Sequence, residues 1–196
     1  MNENYFRTKR KTLQKTMEVL GEDPKVCIGQ AEIRKLDELH SVGKVFRALG
    51  LEPRACRLRS CDQDPPDCQS YNGSGDLIGW EVTELCDEET EKINSKAKTP
   101  TERVYRDWTV EDLESMIARK IREKNTAISN RMQTTAEWPY ACVNLVIVSD
   151  EIAFTPEVAE SFRGKFEQVD AENIEQVYLL LSYISEETDC PCISIK

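Results

Sequence analysis

A five-residue turn in the first half of the chain constrains the fold more than any other sequence feature. Residues 72–76 read Asn-Gly-Ser-Gly-Asp, and short segments of strand-like composition flank them at 67–71 and 77–85. This pattern predicts a β-hairpin. If the hairpin is symmetric about the turn, Asp67 faces Glu81 across the two strands. Facing side chains on an antiparallel pair have Cβ atoms about 5 Å apart, so two carboxylates there would repel each other unless a cation lies between them.

These two acids predict a site for a hard divalent cation. Mg²⁺ and Mn²⁺ prefer oxygen ligands, and a bound cation of this kind can polarise a phosphoryl oxygen and activate water. Strand alternation places Thr83 on the face of Glu81 and directs Glu84 to the other face. The alternative is a solvent-exposed hairpin with two unrelated acids, because 36 of the 196 residues are Asp or Glu.

The rest of the sequence predicts an α/β fold. Gly50 is expected to end a helix that begins near residue 30, Thr109 is expected to cap another, and the valine-rich segment 140–148 predicts a strand buried on both faces. The predicted elements are a helix at 30–49, strands at 54–60, 67–71 and 77–85, a helix from 109 to at least 125, a strand at 140–148, a helix at 156–165 and a strand at 176–184. This order predicts a mixed central sheet flanked by helices.

The length of the chain predicts one domain. We expect an N-terminal extension at 1–29 with a helix at 9–20, a core at 30–150, and a C-terminal helix and strands at 151–196 that pack on the same domain. No apolar segment approaches the ~20 residues that cross a bilayer, and none follows the basic N-terminus. A cytoplasmic protein without a membrane partner is therefore expected. The spacing of the eight cysteines matches no paired Cys-x-x-Cys pattern, so a zinc domain is the weaker alternative.

The net charge of −10 conceals an asymmetry along the chain. Residues 1–60 hold 13 Lys and Arg against 8 Asp and Glu, whereas the remainder holds 13 against 28. A basic part beside an acidic body is compatible with a metal-binding nuclease that has one DNA-facing side. Ordinary surface variation explains the same distribution equally well.

The hairpin acids and the order of elements resemble the PD-(D/E)xK nuclease superfamily. The resemblance lies in Pro66-Asp67, the turn, and Glu81-Val82-Thr83, placed on the second and third strands of a helix, three strands, helix, strand series. It covers the predicted core and implies a restriction-endonuclease-like fold. It also implies that Asp67 and Glu81 bind Mg²⁺ or Mn²⁺. The lysine position of the motif holds Thr83, which cannot supply a positive charge.

The helix that begins at Thr109 offers a replacement for the missing lysine. Its predicted apolar stripe comprises Leu113, Met116, Ile117, Ile121 and Ile128. Lys120 and Lys124 lie within the same arc, where a lysine is costly unless it is paired. PD-(D/E)xK proteins relocate the lysine to this helix, so the resemblance implies a catalytic role for Lys124, with Lys120 as the second candidate. In the alternative, both lysine stems cover apolar surface while their ammonium groups reach water.

The first helix carries a further candidate ligand. Its predicted buried face comprises Leu36, Leu39, Val42, Phe46 and Leu49. Glu32 falls within that arc and Glu38 at its edge. Several PD-(D/E)xK families place a glutamate of this helix in the active site, so the resemblance adds Glu32 to the metal ligands and makes Glu38 a weaker candidate. Acids near a helix start also favour the helix dipole. Asp62 and Asp64 precede the motif and either add to its acidity or, in the interpretation that we favour, are solvated loop residues.

The leading hypothesis is a metal-dependent nuclease that hydrolyses nucleic-acid phosphodiester bonds. DNA is the expected partner, and a homodimer would suit cleavage of both strands. The alternative is a catalytically inactive binding or interaction module with the same fold, which Thr83 and the acidic body favour. A lysine amine within about 3 Å of Glu81 would separate the two.

Overall fold

The computed structural model describes residues 30–62, 64–86, 90, 92, 93, 96, 99, 107–149, 154–181 and 191–196, with side chains from Arg34 onward. The predicted N-terminal extension at 1–29, with its helix at 9–20, lies outside these residues. The described part of the chain contains no helix with both the length and the apolar composition of a membrane span.

The described residues form a mixed six-stranded sheet with helices on both faces, which confirms the predicted α/β class. The elements are α1 (Gln30–Ala48), β1 (Arg59–Ser60), β2 (Cys68–Tyr71), β3 (Leu77–Glu84), α2 (Val110–Thr134), β4 (Cys142–Ser149), α3 (Pro156–Glu160), β5 (Val177–Leu181) and β6 (Cys192–Ser194). The strands follow one another in chain order. β3 pairs with β4, and β4 with β5, in parallel, whereas the other pairs are antiparallel.

Each face of the sheet is covered by its own apolar cluster. α1 packs on one face, where the Phe46 ring lies 5.1 Å from that of Trp80 and Trp80 stacks on Tyr178. α2 packs on the other face against β4 and β5. The buried α2 side chains are Leu113, Ile117, Ile121 and Ile128, four of the five residues of the predicted stripe, and the fifth, Met116, is partly buried. Burial of this apolar surface on both faces provides the main driving force for folding.

α2 begins at the predicted cap. The Asp112 backbone N–H donates to Thr109 Oγ1, and the Thr109 backbone N–H donates to Asp112 Oδ2, which together form a capping box. The helix continues to Thr134, well beyond residue 125. Lys124 lies in the second half of this helix.

The hairpin has the predicted register. Gln69 pairs with Gly79, and each pair along β2 and β3 fits symmetry about the turn. Asn72 Oδ1 accepts a hydrogen bond from the Asp76 backbone N–H at 2.8 Å, which closes the turn. Gly75 has a φ of 90°, a conformation that glycine adopts without steric cost.

Two predicted elements and the predicted burial of one residue require correction. Only Arg59–Ser60 of the predicted strand at 54–60 is extended, because residues 53–57 form a helical turn closed by the Leu58 N–H on Pro53 O. The predicted helix at 156–165 ends at Glu160, and Gly164 adopts a φ of 68°. Leu49, predicted to be buried, is 44% exposed because it follows the end of α1. The predicted strand at 176–184 is described as Val177–Leu181, and residues 182–190 lie outside the described part.

Candidate metal centre

The site forms just before the start of β2, where β3 continues beyond its pairing with that strand. β2 begins at Cys68, which pairs with Trp80. One residue earlier, the Asp67 side chain replaces the strand backbone as the hydrogen-bond partner of β3. The Val82 backbone N–H donates to Asp67 Oδ2 at 2.8 Å. The carboxylate therefore satisfies a strand N–H at a point where the backbone of β2 no longer pairs. This bond fixes the orientation of Asp67.

Gly79 allows the chain before Asp67 to approach the sheet. A Cβ atom built on Gly79 would lie 3.0 Å from Pro66 Cγ and 3.2 Å from Val143 Cγ2, closer than ordinary van der Waals contact. The Pro66 ring thus occupies the space that a side chain at position 79 would need. Glycine at position 79 therefore allows Pro66, the neighbour of Asp67, to pack directly on β3.

Three carboxylates converge at this point. Asp64, Asp67 and Glu81 each offer an oxygen, and these oxygens all lie within 4.8 Å of one another. Glu81 is 1% exposed and Asp67 is 5% exposed. The hairpin argument thus correctly predicted the proximity of Asp67 and Glu81. The interpretation of Asp64 as only a solvated loop residue was incomplete, because its exposed side chain reaches the same cluster.

Lys124 reaches this cluster from α2. Its Nζ donates to Glu81 Oε1 at 2.6 Å, a charge-assisted hydrogen bond. Lys120 lies one turn earlier, and its Nζ is 3.9 Å from Glu123 Oε2. Of the two candidate lysines, the structure therefore brings Lys124 to the hairpin acids and pairs Lys120 with a residue of its own helix.

The electrostatics of the cluster favour binding of a cation. Burial raises the pKa of the Glu81 carboxyl to about 7; Asp67 adds to the rise and Lys124 opposes it. Burial also raises the pKa of Asp67, against the hydrogen bond from the Val82 N–H. The pKa of the Lys124 ammonium is raised as well, since attraction to Glu81 and Asp67 outweighs the opposing effect of burial. Near neutral pH a proton and a metal ion would therefore compete for Glu81.

One buried oxygen indicates that the arrangement fits a divalent cation. Glu81 Oε2 is buried and has no hydrogen-bond partner, and an unpaired buried charged oxygen is costly. The oxygen ligands of Asp64, Asp67 and Glu81 are of the type that Mg²⁺ and Mn²⁺ prefer. Within the described residues no cysteine belongs to a cluster of three or more possible metal ligands. The residues present therefore fit Mg²⁺ or Mn²⁺ better than zinc.

α1 contributes a basic side chain that sequence reasoning missed. Arg34 Nε donates to Glu38 Oε1 at 2.6 Å, and the Arg34 Nη2 lies 3.6 Å from Asp64 Oδ2 and 3.8 Å from Asp67 Oδ1. Burial raises the pKa of Glu38 despite this bond. A cleft of about 150 Å³ opens beside these groups and is lined by Arg34, Lys35, Glu38, Cys61, Asp62, Asp64 and Asp67.

Two further candidates have different outcomes. Thr83 is buried on the same strand as Glu81, two residues further along, so strand alternation gives it the same face. Its hydroxyl cannot replace the charge of a lysine. The side chain of Glu32 lies outside the described residues, although its backbone belongs to α1. Its role as a metal ligand stays a prediction.

A sequence signal existed for one of the two missed residues. Arg34 and Glu38 are four residues apart on a helix, a spacing that predicts an ion pair. Asp64 precedes the strand, where alternation has no meaning, so strand periodicity could not place its side chain.

Comparisons of the chain with protein-family models, with curated proteins and with solved structures found no match.

Proposed function

We propose that this protein is a Mg²⁺- or Mn²⁺-dependent nuclease with the restriction-endonuclease-like core of the PD-(D/E)xK superfamily. Asp67 and Glu81, with Asp64, would bind the metal, and Lys124 takes the role of the lysine that the motif lacks at Thr83. The observation that carries the proposal is the 2.6 Å contact between Lys124 and Glu81 beside the acid cluster. Hydrolysis of a nucleic-acid phosphodiester, with DNA as the first candidate, is the chemistry this set of groups supports best.

The Lys124 contact is what favours a nuclease over an inactive module of the same fold. An ammonium group tethered beside carboxylates can hold an attacking water and stabilise negative charge that develops on it and on the phosphate. Thr83 alone would supply neither effect. Since α2 restores a positive charge next to Glu81, the departure at Thr83 does not argue against catalysis.

The site combines three requirements of phosphodiester hydrolysis: acids that would hold a metal, an ammonium group beside them, and room for a phosphate. A metal held at the acids supplies Lewis-acid polarisation of a phosphoryl oxygen and a water of lowered pKa. Asp67 is fixed by the Val82 N–H, so its free oxygen is preorganised. The Lys124 ammonium donates to Glu81, and the Lys124 side chain is 26% exposed. The cleft beside Asp67 gives a phosphate room to approach.

A cleavage assay with matched variants tests the proposal. Plasmid, linear duplex and single-stranded DNA, with RNA as a parallel substrate, are incubated with Mg²⁺ or Mn²⁺ and with a chelator control. We expect metal-dependent cleavage by the native chain. Asp67→Asn and Glu81→Gln should each lower the rate at least 100-fold, because each removes a ligand charge.

Glu84→Gln is the matched control. Glu84 lies on the same strand but is exposed, so its substitution should leave the rate within about threefold, as for most surface changes. Circular dichroism of each variant shows whether the fold is kept. Full activity in folded Asp67→Asn and Glu81→Gln proteins would contradict the proposal.

A further inference from the structure

The acid cluster and the basic side chains around it form one connected network of ion pairs. Glu38, Asp64 and Asp67 contact the Arg34 guanidinium, and Glu81 contacts Lys124. Four carboxylates in this network thus face two positive charges, those of Arg34 and Lys124. One bound divalent cation would balance the charge of the network.

The contacts of Arg34 differ in strength. Its bond to Glu38 is short, at 2.6 Å, and holds the guanidinium through Nε. The contacts of Nη2 with Asp64 and Asp67, at 3.6 and 3.8 Å, exceed hydrogen-bond length. The Arg34 side chain is 66% exposed, whereas that of Asp67 is 3% exposed, so solvent around the guanidinium screens these two long contacts. A divalent cation on the buried acids would therefore replace the guanidinium as their counter-charge at little cost.

We propose that Arg34 is the phosphate-binding residue of this site, released from Asp64 and Asp67 when the metal binds and retained by Glu38 at the mouth of the cleft. The proposal rests on the proposed function, since it takes the acids to be the metal site. A guanidinium held through Nε presents its two terminal nitrogens to a ligand, and these match two oxygens of a phosphate. The cleft that Arg34 lines lies next to Asp67, so a phosphate bound there is adjacent to the metal ligands.

Lys35 provides a matched control for Arg34. It is the next residue of α1 and lines the same cleft, but its ion pair is with Asp62, which lies outside the acid cluster. Lys35→Gln removes the same charge as Arg34→Gln from nearly the same place. It does not touch the contacts with Asp64 and Asp67.

The first experiment is titration of the full chain with Mn²⁺ alone by calorimetry. Arg34→Gln should bind Mn²⁺ about fivefold more tightly than the native chain, because a positive charge about 4 Å from a ligand is removed. Lys35→Gln and Arg34→Lys should stay within about twofold. Weaker or unchanged Mn²⁺ binding by Arg34→Gln would overturn the proposal, and so would no Mn²⁺ binding by the native chain.

The second experiment measures binding of a fluorescein-labelled oligonucleotide with phosphorothioate linkages, which resist cleavage, by anisotropy in the presence of Mn²⁺. Arg34→Gln should lose tenfold or more in affinity, the loss expected for hydrogen bonds to a charged group. Arg34→Lys should recover part of it, and Lys35→Gln should lose less than about threefold. Equal losses in Arg34→Gln and Lys35→Gln would refute a specific role.

The two proposals fail in different ways. A native chain that binds Mn²⁺ and the oligonucleotide as described, but cleaves nothing, would remove the nuclease and keep Arg34 as a phosphate ligand. A chain that cleaves, with Arg34→Gln behaving as Lys35→Gln does, would keep the nuclease and remove the role of Arg34. A destabilised Arg34→Gln fold would weaken both Mn²⁺ and oligonucleotide binding, whereas the proposal requires changes in opposite directions.

Discussion

Replacement of Glu81 by Gln tests the electrostatic argument most directly, because it removes one ionisable group and leaves the shape of the side chain nearly unchanged. Glu81 is 1% exposed, and its pKa is raised from 4.5 to about 7 by burial, with Asp67 adding to the rise. The folded protein therefore holds this proton more tightly than the unfolded chain does. Its contribution to stability is fully present below pH 4.5 and is lost as pH rises through 7.

The size of this effect follows from the shift. Each pKa unit corresponds to about 1.4 kcal/mol, so the native free energy of unfolding should fall by about 2–3 kcal/mol between pH 5 and pH 8 on account of Glu81. The raised pKa of Asp67 acts in the same direction. In Glu81→Gln the fall over the same range should be smaller by that amount.

Urea unfolding at pH 5, 6, 7 and 8, followed by tryptophan fluorescence, measures these slopes. Added Mn²⁺ at 100 times its dissociation constant should stabilise the native chain by about 2.7 kcal/mol at pH 8 and should leave Glu81→Gln nearly unchanged. Glu84→Gln, on the exposed side of the same strand, should follow the native protein in both respects. Identical pH slopes for the native chain and Glu81→Gln, or equal stabilisation by Mn²⁺, would refute the reasoning.

Two other substitutions test the geometry around this residue. Lys124→Gln should lower the cleavage rate at least 100-fold, whereas Lys120→Gln, which removes the other lysine of the stripe, should stay within about threefold; similar losses in steady-state cleavage assays would contradict the assignment. Gly79→Ala should force the Pro66 ring away from β3, weaken Mn²⁺ binding about tenfold and lower the free energy of unfolding by roughly 1–3 kcal/mol. Gly43 lies in α1, and apart from its chain neighbours and the backbone of its own helix no atom would lie within 4 Å of a methyl group there. Gly43→Ala should therefore leave Mn²⁺ binding unchanged and stabilise the chain by up to about 1 kcal/mol. Weaker Mn²⁺ binding in both alanine variants would rule out the packing argument.

The part of the site that follows from local periodicity could be predicted from the sequence. The turn fixed the hairpin register, and that register opposes Asp67 to Glu81. The helical stripe placed Lys124 on the buried face of α2. Both predictions depend only on repeats of two and of 3.6 residues along the chain, and neither needs knowledge of distant contacts.

The rest of the site depends on contacts that no local period encodes. Asp64 reaches the cluster from a loop. Arg34 reaches it from α1, which lies on the opposite face of the sheet from α2. The choice between Lys120 and Lys124 depends on which of them contacts Glu81 of β3, a tertiary contact that the helical period does not determine. The strand predicted at 54–60 was mostly wrong for a similar reason, since a turn closed by Leu58 on Pro53 replaces its first part.

The hydrogen bonds of the two buried acids, Asp67 and Glu81, affect which cation the proposed metal site would bind. One oxygen of Asp67 is taken by the Val82 N–H, and one oxygen of Glu81 by Lys124. Each buried carboxylate therefore keeps one oxygen outside these two hydrogen bonds, which favours ligation through that single oxygen over bidentate ligation. Ca²⁺ requires six to eight oxygens and often a bidentate carboxylate, whereas Mg²⁺ keeps several of its waters. We therefore expect the proposed metal site to bind Mg²⁺ or Mn²⁺ more tightly than Ca²⁺.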